Sequence, residues 1–153
     1  MKYLEAANIL KHAKFNDKKS LKVFTSATFN PLEINLRAEA ALREIDLNIE
    51  SSSFGALFQS LAQDKKETNF EALVFFPWDI FPFLDWRSGG GELIQFSDDL
   101  IDTHISNFVS VVNQRNLDYI IYCDVPYLKC TLNREDENKI KKLVDIAGRE
   151  ISD

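Results

Sequence analysis

The hydrophobic positions of this chain change period from segment to segment, and the changes read as helices alternating with buried strands. Tyr3, Ala6, Ala7, Leu10 and Ala13 recur at helical spacing and predict a short opening helix, followed by a polar connector from Asn16 to Ser20. The next segment, Leu21 to Ala27, reads as a buried strand. Asn30-Pro31-Leu32-Glu33 then predicts a helix start, with Asn30 as cap, Pro31 at the first helical position and Glu33 reaching back to complete a capping box. That helix is expected to run to about Asp46, with Ile34, Ala38, Ala41, Leu42 and Ile45 on its inner face.

Leu47 to Ser53 predicts a weaker strand, because Asn48, Glu50 and three serines interrupt the apolar pattern; this makes it an exposed or an edge strand. Phe54 to Ala62 reads as a short helix. Glu71 to Pro77 is a continuous apolar run of the kind covered by helices on both faces, and a long aromatic and glycine-rich loop follows it. Ser97, Asp98 and Asp99 open a helix whose buried stripe is Leu100, Ile101, His104, Ile105, Phe108 and Val112. Tyr119 to Cys123 is the next strand, and Asn133 caps a last helix with Ile140, Leu143, Val144, Ala147 and Ile151 on one face. This alternation predicts a three-layer α/β/α fold with a mainly parallel sheet of four or five strands, flavodoxin-like in outline. Residues 1–153 are expected to form one domain, with 1–20 as opening helix and connector.

Length and charge narrow the function classes. With 153 residues and 45% hydrophobic content the chain has enough apolar surface for one core. A net charge of −6 repels a nucleic-acid backbone, and the short lysine-rich stretches, Lys11 to Lys22 and Lys139 to Lys142, read as solvated faces. Two cysteines, Cys123 and Cys130, fit a reducing, cytoplasmic setting and give no metal-ligand spacing. Glu5 and Asn8 interrupt the N-terminal pattern, unlike the apolar centre of a signal peptide. No apolar run is long enough to span a bilayer, so no membrane association is expected.

Candidate chemistry gathers where strands end, because open α/β sheets bind ligands beyond the carboxyl ends of their strands. Thr25, Ser26 and Thr28 offer three hydroxyls and Asn30 an amide at the start of a helix, a setting for a phosphate or carboxylate. The alternative is that these groups only satisfy the turn. The segment lacks a glycine cradle and is not Gly-x-Ser-x-Gly, so neither a nucleotide cofactor nor an α/β-hydrolase elbow is expected. Pro77 to Gly91 concentrates both tryptophans and three of the five glycines. There Trp78 and Trp86 suit a pocket wall, Asp79, Asp85 and Arg87 supply charge, and Arg87 with Ser88 and Gly89 suits an anion clamp. The alternative pairs Asp85 with Arg87 and makes the tryptophans a lid. Asp124, after the last strand, is a third candidate for the same rim. The shared expectation is that Ser26 and Arg87 meet in one hollow.

Ser26-Ala27-Thr28-Phe29-Asn30-Pro31-Leu32, Phe54-Gly55, Phe76-Pro77-Trp78-Asp79 and Asp85-Trp86-Arg87-Ser88-Gly89 together resemble the N-terminal, SGNH-hydrolase-like domain of FkbH-like proteins, over about Lys22 to Gly91. In that family the domain precedes a haloacid-dehalogenase-like domain that handles a glyceryl phosphate and passes the acyl group to a carrier-protein thiol, in polyketide and surface-polysaccharide pathways. The resemblance implies a substrate- or carrier-recognition domain of such an acyl-transfer system. Its ligand would be a small acylated or phosphorylated molecule, and its partners an acyl carrier protein or a separate haloacid-dehalogenase-like chain. It also places Ser26 near an SGNH nucleophile, which makes an esterase or acyltransferase the second reading. No Asp-x-Asp phosphoryl acceptor is present, and the only histidines are His12, in the first helix, and His104, mid-helix, so no complete triad is visible. A third reading is a non-catalytic interaction domain, possible as a homodimer, through exposed Phe54, Phe81, Phe83 and Trp86.

Overall fold

The computed structural model describes residues 1–63, 67–82 and 98–123, together with 142, 145, 148 and 149. Its elements are α1 (Tyr3–His12), β1 (Asp17–Phe24), α2 (Asn30–Ala41), β2 (Ile45–Ser51), α3 (Leu57–Ala62), β3 (Phe70–Phe75), α4 (Pro77–Ile80), α5 (Asp98–Asn113) and β4 (Tyr119–Tyr122). The strands form one sheet in the order β2-β1-β3-β4. β1 runs parallel to both β2 and β3. Asp118 N donates to Glu71 O and Cys123 N to Phe75 O, so β3 and β4 advance together and the whole sheet is parallel. This is the expected α/β class, and β2 takes the edge position expected of an interrupted strand. The order matches the start of the flavodoxin-like 2-1-3-4-5 arrangement, in which the direction of strand succession across the sheet reverses between β1 and β3.

The chain divides into two compact units, Met1–Val74 with Leu117–Ile120, and Phe75–Asn116 with Ile121–Asp153. In the first, α1 packs on α2, α2 on β2, and α3 touches β1. Val23 and Phe24 on β1 and Ala72 and Leu73 on β3 are buried at the centre of the sheet, as their apolar runs require. In the second, Phe75 packs against Phe108 and Tyr122, each at 5.2 Å between ring centroids. Ile101, Ile105, Phe108 and Val112 of α5 are buried, the stripe that helical spacing predicts, each worth roughly 1.5–3 kcal/mol of transfer free energy.

Several boundaries differ from the sequence reading. Asp17 to Ser20 belongs to β1 rather than to a connector, because its backbone pairs with Ile45 to Asn48 of β2, and polar groups add cross-strand contacts. Lys18 lies 3.9 Å from Asp46 on β2, and Ser20 N and Oγ both donate to Asn69 Oδ1 beside β3. At the start of the strand, the Lys19 side chain and the Lys18 amide hold the Asp17 carboxyl below its usual range. The second helix stops at Ala41 instead of Asp46. Leu42, Arg43 and Glu44 close it by donating to the carbonyls of Ala38, Ala40 and Ala41, and Glu44 enters the left-handed region at φ 61°. Leu42 is therefore an exposed cap, and Ile45 opens β2. Asn30 is the first helical residue and not the cap. Phe29 caps with its carbonyl, which accepts from Leu32 and Glu33, and no side chain completes a capping box.

Lys22 corrects the reading of Lys11 to Lys22 as a solvated face. It is 3% exposed, with its ammonium 5.2 Å from the centre of the Phe24 ring, a cation–π contact. Its register partners are Glu50 on β2 and Glu71 on β3, which parallel pleating puts on the same face of the sheet. Among the described residues of the C-terminal part, 142, 145, 148 and 149 are helical, in line with a last helix. Its proposed cap, Asn133, lies outside the described residues, as does Ser97.

Candidate functional site

The turn from β1 into α2 is assembled by hydroxyl groups. Backbone pairing of β1 with β2 reaches Val23 opposite Ser51, and Ser52 N then donates to Val23 O at 2.9 Å. One residue further the ladder continues through a side chain. Ser52 Oγ accepts from the Thr25 amide at 2.8 Å and donates to the Thr25 carbonyl at 2.7 Å. Thr25 Oγ1 in turn accepts from the Ala27 amide at 3.3 Å, a local hydroxyl turn. Thr25 and Ser26 are buried, Phe29 anchors the turn in the core, and Thr28 and Asn30 are exposed. Pro31 carries no N–H and the Leu32 amide is spent on Phe29 O, so hydroxyls are a larger part of what this turn offers a ligand than helix-start amides.

On the other side of this joint, Ser53 to Ala56 forms a four-residue turn closed by Ala56 N donating to Ser53 O at 3.0 Å. Gly55 sits at its third position with φ 73°, where a side chain would be strained. Phe54 at the turn's tip is exposed, as expected.

The exit from β3 is built differently, within the second unit. Asp79 accepts from the Phe76 amide at 2.8 Å and is buried, which gives it a capping role at the start of α4. Trp78 stacks on Phe76 at 4.6 Å with an interplanar angle of 7°, while Pro77 and Ile80 are buried. Phe81 is fully buried, with His104 edge-on at 6.3 Å, so it cannot be part of an exposed aromatic patch. Phe83, Asp85, Trp86, Arg87, Ser88, Gly89 and Asp124 lie outside the described residues, and with them the proposed meeting of Ser26 and Arg87.

The remaining titratable candidates divide clearly. His12 sits in α1 with Nδ1 2.9 Å from the carbonyl of Asn8, one turn back on its own helix. Burial pushes the Cys123 thiol up, which keeps it protonated at neutral pH and unsuited to act as a thiolate. Among the described residues no group of three His, Cys, Asp or Glu side chains is arranged to hold a metal ion. No helix among them is long and apolar enough to cross a membrane.

Two polar groups escaped the sequence reading. Ser52 does the work of a ladder rung, and its signal was the Ser51-Ser52-Ser53 run that had only seemed to weaken the strand. Asp118 performs a similar service at β3, accepting from the Glu71 amide at 2.7 Å while its own amide donates to Glu71 O at 3.0 Å.

No family model matches the chain, and no curated protein matches it. Among solved structures it is similar to the N-terminal part of the protein BF1531 from Bacteroides fragilis, which contains a phosphatase domain and was crystallised with Mg. The TM-score is 0.67 at 11% identity, covering 98% of this chain and 41% of that one. The likeness carries the α/β architecture, and this chain spans well under half the length of its neighbour.

Proposed function

We propose that this chain is a ligand-recognition domain of an FkbH-like biosynthetic acyl-transfer system, in which the Thr25 to Asn30 turn receives a small acylated or phosphorylated ligand. One observation carries the reading: Thr25 is gripped on both backbone atoms by Ser52, and the chain then passes through buried Ser26 to exposed Thr28 and Asn30. A hydroxyl-bearing turn fixed to a central strand presents donors and acceptors at little ordering cost. The turn also leaves β1 where the strand order reverses, the usual place for ligands in open α/β sheets. In this reading phosphoryl chemistry belongs to a separate haloacid-dehalogenase-like domain or chain. The neighbour, of which this chain covers 41%, contains a phosphatase domain.

Titration of isotope-labelled protein with glycerol phosphate, followed by amide chemical shifts, tests the reading. Shifts centred on Thr25 to Asn30 are expected, and their absence at millimolar ligand would overturn it. A serine-directed phosphonate provides the second arm. A recognition domain leaves Ser26 unmodified, whereas an adduct on Ser26 replaces this reading with an SGNH-type esterase or acyltransferase.

A further inference from the structure

We infer that Ser52 is the positioning residue of this site, an inference that rests on the recognition role just proposed for the Thr25 to Asn30 turn. The argument starts from the sheet. β1 and β2 are paired by backbone groups from Asp17 opposite Ile45 to Val23 opposite Ser51, and the Ser52 amide adds a last bond to Val23 O. Beyond that point β2 bends into the Ser53 to Ala56 turn, with Gly55 in the left-handed region, and its backbone is no longer aligned with β1. Thr25, the residue just past β1, would then lack a backbone neighbour on this side.

The Ser52 hydroxyl supplies what the departing backbone does not. A hydroxyl both donates and accepts, so one oxygen satisfies the Thr25 carbonyl at 2.7 Å and the Thr25 amide at 2.8 Å. With both peptide groups around Thr25 pinned, the direction in which Ser26 leaves the sheet is set. The Ala27 amide, bound to Thr25 Oγ1, carries that constraint into the turn. Alanine at position 52 would remove both bonds at once, and threonine would keep them. Cysteine keeps the volume and loses most of the hydrogen bonding, since a thiol is a weak partner in both roles.

The closing experiment compares wild type with Ser52→Ala, Ser52→Thr and Ser52→Cys, measuring amide exchange at Thr25 and glycerol phosphate affinity. Removing the hydroxyl is expected to speed Thr25 exchange and weaken affinity, each by roughly tenfold, the scale of one to two lost hydrogen bonds. Ser52→Thr should restore both, and Ser52→Cys should behave like alanine while keeping the packing. Faster Thr25 exchange with unchanged affinity in Ser52→Ala overturns the positioning role and leaves the recognition reading standing. Equal loss of affinity in the alanine and threonine variants also overturns it, because volume rather than hydrogen bonding would then be at stake. A wild-type protein that binds no glycerol phosphate removes the recognition reading, and the role of Ser52 falls with it.

Discussion

The chain leaves β1 and β3 by the same route, from strand through a turn into a helix, yet it closes the two exits with different chemistry. After β1 the exit is held by neutral hydroxyls, Ser52 on Thr25 and Thr25 on Ala27, and Thr28 and Asn30 beyond it are exposed. After β3 it is held by a buried carboxylate, Asp79 on Phe76, and sealed by Pro77, Ile80 and Phe81. The Asp79 carboxyl is spent on its own sealed turn, whereas the hydroxyl-clasped turn leaves Thr28 and Asn30 exposed. An acidic residue just after a strongly apolar strand is thus a poor guide to a site until its amide partner is known.

The comparison is most easily broken by substitutions on the sealed side. Phe81→Ala is expected to cost about 3–5 kcal/mol, as for truncation of any fully buried phenylalanine, measured by urea unfolding. Asp79→Ala should cost about 1–3 kcal/mol, because the Phe76 amide loses a charged acceptor away from water. Gly55→Ala, at φ 73° with open space around it, should cost about 1 kcal/mol through backbone strain alone. Thr28→Ala should leave stability within about 0.5 kcal/mol, as for other exposed sites, while weakening glycerol phosphate binding. A Thr28→Ala cost rivalling that of Asp79→Ala would erase the distinction between the two exits.

The smallest effect lies at the far end of β1. The Lys19 side chain and the Lys18 amide lower the Asp17 carboxyl pKa. Its contribution is therefore present at neutral pH, above the unfolded value, and is lost as pH falls through the lower folded value. Carbon-detected titration of Asp17 should show the depressed midpoint. Lys19→Ala should return it towards the ordinary carboxylate range, with no detectable change in unfolding because Asp17 is fully exposed.

How far the sequence disclosed this molecule depended on whether apolar period or polar partnering decided each element. β3 and the α5 stripe were legible because Ala72 to Phe75 and Ile101 to Val112 are buried by hydrophobicity alone. The start of β1 was not, since Lys18 and Ser20 carry no apolar signal and are strand residues through pairing with Asp46 and Asn48, which are distant in sequence. The end of α2 was hidden for a related reason. Glu44 has no intrinsic taste for the left-handed region, and is held there while its carbonyl accepts from the Asn16 amide and its carboxylate from the Asn16 side chain. At the candidate site, the hydroxyls of Thr25 to Thr28 could be read as a polar cluster. Their organiser, Ser52, sits on another strand and became visible only when β2 was laid beside β1.

The buried Lys22 bears on which register the sheet adopts. In the native alignment its ammonium shares a face with Glu50 on one neighbour and Glu71 on the other. A slip of two residues would preserve the inward-outward alternation but set Lys22 against Asn48 or Ser52, and against Asn69 or Leu73. Each of those registers would set the Lys22 side chain beside no registered carboxylate, a cost that the native register avoids.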